Sequence, residues 1–115
     1  MTYLICWIVY GAEIMKSKML NLNDVLDVLN KHKTQFKTDF GVTDIGIFGS
    51  IVRGENKAGS DVDVVVKMSK PDLFYMVHIK EALENEYQTK VDIVHYRERM
   101  NAFLKKRIDR EAVYV

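Results

Sequence analysis

Apolar residues recur at helical spacing in the first well-patterned part of the chain. The positions concerned are Leu22, Val25, Leu26, Leu29, Phe36 and Phe40. Residues three and four positions apart lie on one face of a helix. Asn21 stands before this set and Gly41 follows it, and both residue types favour helix ends. The pattern therefore predicts an amphipathic helix that ends at Gly41.

Two segments rich in β-branched residues come next. Val42–Phe48 reads VTDIGIF and stops at Gly49, and Asp61–Lys67 reads DVDVVVK after a polar turn over Asn56–Ser60. Residues of these types favour extended backbone. Both segments are predicted to be strands, with a short helix or turn over Ser50–Glu55 between them.

The C-terminal half continues the alternation of helices and strands. Pro71 opens a helix, at a position where its missing N–H costs little, Lys90–Tyr96 is a third strand, and Arg97–Glu111 is the last helix. The order helix-strand-helix-strand-helix-strand-helix predicts an α/β or α+β domain around a small sheet. The third helix contains an apolar cluster that we expect to lie in the core, formed by Phe74, Tyr75 and Met76.

The N-terminal residues stand apart from this pattern. Tyr3–Tyr10 is an apolar run of eight residues, too short to span a bilayer, which takes about 20 residues. It has neither the basic flank nor the cleavage site of a secretory signal. An added strand, a surface helix and a start codon placed too early are the alternatives; we favour the early start, because Met15 and Met19 follow. The expected organisation is an extension over residues 1–18 and one domain over residues 19–115.

Composition narrows the class of protein. The 115 residues are 48% hydrophobic and 29% charged, with a net charge of +1, which is typical of one folded domain without general attraction to nucleic acid. A single cysteine excludes an internal disulfide, and we expect a cytoplasmic protein.

The last predicted helix is rich in charge. Six basic and three acidic residues lie in Arg97–Glu111, which is typical of a solvated helix face. Contact with an acidic partner or RNA is the alternative.

A Gly-Ser pair separates the first strand from the short helix. Gly49 permits a tight turn and the close approach of a ligand. The hydroxyl of Ser50 and the backbone amides of the turn suit a phosphate group. Such a pair is more often ordinary turn chemistry, so a phosphate contact is only one of two interpretations of this pair.

Three aspartates lie in or beside otherwise apolar strands. Asp61 and Asp63 share one face of the second strand, about 7 Å apart, and Asp92 lies in the third strand. Aspartate is a poor strand residue and like charges on one face repel each other. A solvent-facing edge is the plain interpretation, but three such residues favour a site in which carboxylates hold Mg²⁺ against phosphates, as in metal-assisted nucleotidyl transfer.

Taken together, these motifs resemble the signature of the polymerase-beta-type nucleotidyltransferase superfamily. A Gly-Ser pair is followed by ten residues, then by Asp-Val-Asp and later by another Asp. The strings GSIVRGENKAGSDVDVVV, KVDIV and IDREAVYV are similar to the minimal nucleotidyltransferase (MNT) group. The resemblance covers about Leu20–Val115 and implies the nucleotidyltransferase fold, a small mixed β-sheet flanked by helices.

The resemblance also implies roles for individual residues. Asp61 and Asp63 would ligate both of two Mg²⁺ ions, whereas Asp92 would ligate one of them and activate the attacking hydroxyl. The residues implied in nucleotide binding, with Arg53 contacting either a phosphate or a partner, are Gly49, Ser50 and Arg53. Ile51 and Val52 are bulkier than the residues usual in this turn.

What the resemblance implies for function is a type VII antitoxin. Such a protein uses ATP as substrate and transfers AMP to a tyrosine hydroxyl of a cognate HEPN-domain ribonuclease toxin, which inactivates the toxin. The implied partner is this toxin, in a hetero-oligomer, with no membrane and no direct nucleic-acid binding. Two alternatives stay open: an antitoxin that neutralises its partner by binding only, and a free-standing nucleotidyltransferase that acts on a small molecule or RNA.

Overall fold

A four-stranded mixed sheet organises the protein. The computed structural model describes residues 20–57 and 60–115, so the predicted extension and its boundary at residue 18 lie outside the described residues. The elements are α1 (Leu22–Phe40), β1 (Val42–Phe48), α2 (Ser50–Arg53), β2 (Val62–Met68), α3 (Leu73–Tyr87), β3 (Val91–His95), α4 (Ala102–Glu111) and β4 (Val113–Tyr114). The predicted fold class and the order of the first seven elements are confirmed.

The strands lie in the spatial order β3-β2-β1-β4. β1 pairs antiparallel with β2 and with β4, and β2 pairs parallel with β3. The sequence did not predict β4, a strand of two residues in which Tyr114 pairs with Gly46 and Val113 with Ile47. A segment this short carries no periodicity, so only the pairing with β1 reveals it.

Polar side chains set the ends of the helices. Asn21 Oδ1 accepts a hydrogen bond of 2.9 Å from Asp24 N, which caps α1 as predicted. The prediction that the next long helix opens at Pro71 is wrong by two residues, because Asp72 is the cap and accepts from the backbone of Phe74 at 2.8 Å. The last helix likewise begins at Ala102, and not at Arg97 as predicted, because the side chain of Asn101 caps it.

Both faces of the sheet are covered. The larger apolar cluster lies on the face covered by α1 and α3, and its fully buried members include Val25, Leu29, Val62, Val64, Ile79 and Leu83. The smaller cluster contains Phe48, Val65 and Ile108, so α4 covers the opposite face. Since residues alternate between faces along a strand, Asp63 lies on the α4 side with Val65.

The described helices include no candidate for a membrane span. The 19-residue α1 is the longest of them. Within residues 20–57 and 60–115, no helix is both long and apolar enough to cross a bilayer.

Candidate active site

Two of the predicted site residues are direct neighbours in the sheet. Asp63 of β2 pairs with Asp92 of β3 in the parallel register. Adjacent strands lie about 4.8 Å apart, and paired residues project from the same face. The structure therefore brings together two carboxylates that are distant along the chain, on the α4 side of the sheet.

The environment of Asp63 opposes its ionisation. Burial raises the pKa of Asp63 above its usual value, and the negative charges of Asp92 and, more weakly, Asp61 raise it further. The positive charges of Arg107 and Arg53 act in the opposite direction. Asp63 is thus a half-buried carboxylate among like charges, an arrangement that a cation would stabilise.

The predicted trio of acids is only partly assembled. Asp61 lies just before β2 and is half-buried. Across the described ranges 20–57 and 60–115, no three acidic, histidine or cysteine side chains come close enough to enclose a metal ion. Mg²⁺ differs from caged metals because it takes one or two carboxylates and completes its shell with waters and substrate phosphates. The pair Asp63 and Asp92, with Asp61 beside it, fits that requirement.

The Gly-Ser turn lies directly against this pair. Gly49 has φ +85°, in the left-handed region, and separates β1 from α2. A Cβ atom at Gly49 would overlap Asp63 Oδ2 and lie 3.0 Å from Asp63 Cγ. Only glycine therefore allows the turn to approach the carboxylate so closely, and the structure brings Gly49 and Ser50 next to Asp63.

Glu111 ties the C-terminal helix to this turn. One of its carboxylate oxygens accepts hydrogen bonds from Gly49 N at 3.1 Å, from Arg53 at 3.0 Å and from Arg107 Nε at 3.1 Å. Its side chain is only 10% exposed. Burial disfavours the charge of Glu111, but the bonds from Arg53, Arg107 and Gly49 outweigh it and hold the pKa below the usual range.

Sequence reasoning missed Glu111 and Arg107. Both belong to the charged run Arg97–Glu111, which was expected to be a solvated face. This expectation is wrong for Glu111, whereas the side chain of Arg107 is 41% exposed. The side chain of Arg107 lines the cleft with Asp63, and that of Glu111 is nearly buried. The sequence feature that could have indicated Glu111 is the closing string IDREAVYV, which contains it. Glu111 is the acid of this string that accepts a hydrogen bond from Gly49 N in the turn.

Arg53 lies beside the turn with its charge already engaged. It donates to Glu55 at 2.9 Å and to both oxygens of Glu111. These carboxylates raise the pKa of Arg53. The side chain of Arg53 is 36% exposed, so part of it faces solvent.

A cleft opens beside the two carboxylates. Its volume is 580 Å³, and it extends from Asp63 and Asp92 to the first turns of α3. Its apolar lining comprises Phe48, Leu73, Met76, Val77, Ile93, Val94 and Leu104. Lys80 and Arg107 are its basic residues. The site therefore combines an acidic pair at one end with an apolar wall along β3 and α3.

Replacing Ser50 by alanine is expected to weaken binding of ATP with Mg²⁺ without unfolding the protein. A hydroxyl that hydrogen-bonds a charged group contributes about 1.5 to 3 kcal/mol, so the dissociation constant should rise about 10- to 150-fold. Calorimetric titration measures it, with Ser69→Ala as the control, because Ser69 bonds the distant Gly41 carbonyl. Unchanged affinity in a folded Ser50→Ala variant would return the Gly-Ser pair to ordinary turn chemistry.

Replacing Glu111 by glutamine is expected to destabilise the protein by about 1.5 to 3 kcal/mol at pH 7, because hydrogen bonds to a charged group are lost. The folded-state pKa is below 4.5, so this contribution is present above that pH and is lost as the pH falls through the folded value. Urea unfolding at pH 7 and near pH 3 measures the difference.

The matched control for Glu111 is Glu98→Gln. Glu98 pairs with Lys105 but its side chain is 89% exposed, and exposed pairs contribute at most about 1 kcal/mol. Equal losses in the two variants would show that burial of Glu111 against the turn contributes nothing.

Comparisons with known proteins identify the family of this chain. A family described as "Nucleotidyltransferase domain" matches residues 29–115. The protein adenylyltransferase MntA of Thermococcus cleftensis is 39% identical over 98 residues, which cover 84% of this chain and 98% of that protein. The sequence-based resemblance is confirmed by these two matches.

Solved structures share the fold. One, assigned as a minimal nucleotidyltransferase, is 28% identical, with a TM-score of 0.66 and coverage of 84% of this chain and 97% of the other. Another is a Shewanella oneidensis complex of a tri-AMPylated HEPN toxin with an MNT antitoxin. It is 16% identical, with a TM-score of 0.55 and coverage of 77% and 70%, and at this identity it supports the fold alone.

Proposed function

We propose that this chain transfers AMP from ATP to a tyrosine hydroxyl of a HEPN-domain toxin. In this role it acts as the antitoxin of the pair. The chain belongs to the nucleotidyltransferase domain family and to its protein adenylyltransferase branch, and this membership supports the proposal. The observation that carries the proposal is the pairing of Asp63 with Asp92 directly beside the Gly49-Ser50 turn. Paired acids that could hold Mg²⁺ beside a glycine turn that a phosphate could approach support metal-assisted nucleotidyl transfer.

The turn and the acidic residues of the site have different proposed roles. Ser50 would bind the phosphates of ATP through its hydroxyl and backbone amide. Gly49, whose own amide already donates to Glu111, would allow the phosphates to approach the turn closely. Asp63 and Asp92, with Asp61, would hold Mg²⁺. When bound, the metal supplies positive charge that stabilises the attacking and leaving oxygens. Arg53, whose charge is shared with Glu55 and Glu111, would contact a phosphate or the partner protein.

The reaction is a displacement at the α-phosphorus of ATP. The acceptor oxygen forms a bond to this phosphorus, the bond to the bridging oxygen of the β-phosphate breaks, and pyrophosphate leaves. Asp92, which is exposed at the cleft, would accept the proton of the hydroxyl. A cation would stabilise the charged form of Asp63, which is half-buried between Asp92 and the turn, against the burial and the like charges that raise its pKa.

A phenol suits the remaining part of the cleft. The wall next to Asp92 is made mostly of apolar side chains, among them Leu73, Val77 and Ile93. An aromatic ring would be buried against this wall while its hydroxyl reaches the carboxylate. A sugar hydroxyl would instead leave its other polar groups facing apolar surface, at a cost in free energy.

The test is incubation of the full chain with α-³²P-ATP, Mg²⁺ and the product of the neighbouring gene. Label is expected on the partner protein, at tyrosine, and γ-³²P-ATP should transfer none because pyrophosphate leaves. Label on RNA or a small molecule would favour a free-standing transferase. No label anywhere, with a stable complex between the proteins, would favour an antitoxin that acts by binding only.

A further inference from the structure

Three apolar side chains at the start of α3 lie at the surface. Leu73 is 75% exposed, Phe74 77% and Val77 45%. The expectation that Phe74 belongs to the core is therefore wrong. Residues three and four positions apart on a helix are neighbours, so Val77 lies beside both Leu73 and Phe74, and the three residues form one cluster, called the α3 patch here. Large exposed aromatic side chains of this kind mark binding surfaces.

The α3 patch is continuous with the active-site cleft. Leu73 and Val77 line the cleft that also contains Asp63 and Asp92. The Gly49 turn lies against Asp63, whereas Asp92 is on β3, the edge strand of the sheet. The patch thus borders the end of the cleft where Asp92 lies.

In-line displacement decides which molecule arrives at that end. The attacking hydroxyl and the leaving pyrophosphate must lie on opposite sides of the α-phosphorus. If the leaving phosphates are bound at the Gly49-Ser50 turn, the hydroxyl comes from the side of Asp92. The molecule that carries the hydroxyl then meets the α3 patch.

We propose that the α3 patch is the docking surface for an apolar segment of the acceptor protein, the segment that surrounds the modified hydroxyl; this rests on the function proposed above. Phe74 and Leu73 anchor the segment and exclude water from the cleft. Lys80 also lines the cleft, is 35% exposed and pairs with Glu84 Oε2 at 3.5 Å, so this ion pair forms a charged rim beside the patch. An apolar centre with a charged rim is the usual anatomy of a protein interface.

The experiment compares the double variant Leu73→Ser/Phe74→Ser with wild type. Both side chains are mostly exposed, so thermal stability should change little. The KM for the acceptor protein is expected to rise at least about 10-fold, as for central interface residues, with the KM for ATP unchanged. The dissociation constant of the two proteins, measured without ATP, is expected to rise by the same factor.

Tyr114→Ser is the matched control. Tyr114 is 38% exposed and aromatic, but it lies on β4, at the opposite edge of the sheet from β3. This variant should keep wild-type values for both substrates. An equal rise in the acceptor KM for Tyr114→Ser would overturn the assignment of the docking surface to α3.

The other outcomes are equally distinct. A rise in the KM for ATP alone would mean that the patch contacts the nucleotide, and unchanged values would mean that nothing docks there; either result overturns the proposal. Concentration-dependent dimers of the chain alone that the double variant abolishes would assign the patch to a second copy. If wild type transfers no AMP, the proposed function fails, yet the dissociation constant still tests the docking surface.

Discussion

The double variant Asp61→Asn/Asp63→Asn is expected to lose AMP transfer by at least about a thousandfold. An amide oxygen lacks the charge that holds Mg²⁺ against phosphates. The metal stabilises the transition state by several kcal/mol, and each loss of about 1.4 kcal/mol slows the reaction tenfold. Asp92→Asn is expected to have the same effect. Label transfer from α-³²P-ATP measures both, and Asp44→Asn, an exposed acid on β1, is the control that should retain activity.

The same double variant is expected to be more stable than wild type in metal-free buffer. Burial and the charge of Asp92 raise the folded-state pKa of Asp63 above 3.8, so the folded protein binds this proton more tightly than the unfolded chain. Stability is therefore lost as the pH rises from 3.8 through the folded pKa. Asparagine removes this loss, and we expect a gain of about 1 kcal/mol at pH 7. Melting in EDTA at pH 7 and near pH 3 tests it, since the gain should be absent at the lower pH.

Protection of cells separates transfer from simple binding. If the double variant protects cells from the toxin as well as wild type does, catalysis is not how the protein works, and neutralisation by binding replaces it. Loss of protection with the complex intact would favour modification of the toxin. Pull-down of the toxin by the variant supplies the second measurement.

The substitution Gly49→Ala is expected to reduce transfer at least about a hundredfold. The new Cβ would overlap Asp63 Oδ2, and the backbone would keep a φ of +85°, which L-residues avoid. The backbone conformation of Gly49, with ψ −152°, is essentially exclusive to glycine and costs another residue about 1 to 3 kcal/mol, and the displaced Asp63 would no longer pair correctly with Asp92. Urea unfolding and label transfer measure the two effects separately.

Gly54→Ala is the matched control for Gly49→Ala. Gly54 ends α2 at a φ of +71°, and no atom lies within 4 Å of the position that its Cβ would take. The cost of placing alanine in this αL conformation is about 1 to 2 kcal/mol, while transfer should stay near wild type. If both variants lose transfer equally, backbone strain in the turn explains the loss, and the contact with Asp63 does not.

The sequence by itself determined the main elements and the motif residues. Leu22–Phe40 and Val42–Phe48 have the predicted bounds, because a capped apolar stripe and a β-branched run are local signals. The Gly-Ser pair and the aspartates were found because glycine and acids are costly in those places. The family was expected because these motifs, with their spacing, resemble a known signature, and such a resemblance can be read from the chain alone.

Only the tertiary structure decided how these residues meet. The pairing of Asp63 with Asp92 depends on the register of two strands that are separated by α3. The burial of Glu111 depends on α4 packing against the sheet, and helical periodicity cannot distinguish a solvated acid from one that contacts a turn.

The exposure of Phe74 was likewise decided only by the tertiary structure. Its apolar character predicts burial, yet α3 contributes Ile79 and Leu83 to the core and leaves its first turn beside the cleft. Local sequence fixes conformation through short-range sterics and capping, whereas which face of a helix meets another element depends on contacts between residues far apart in the chain.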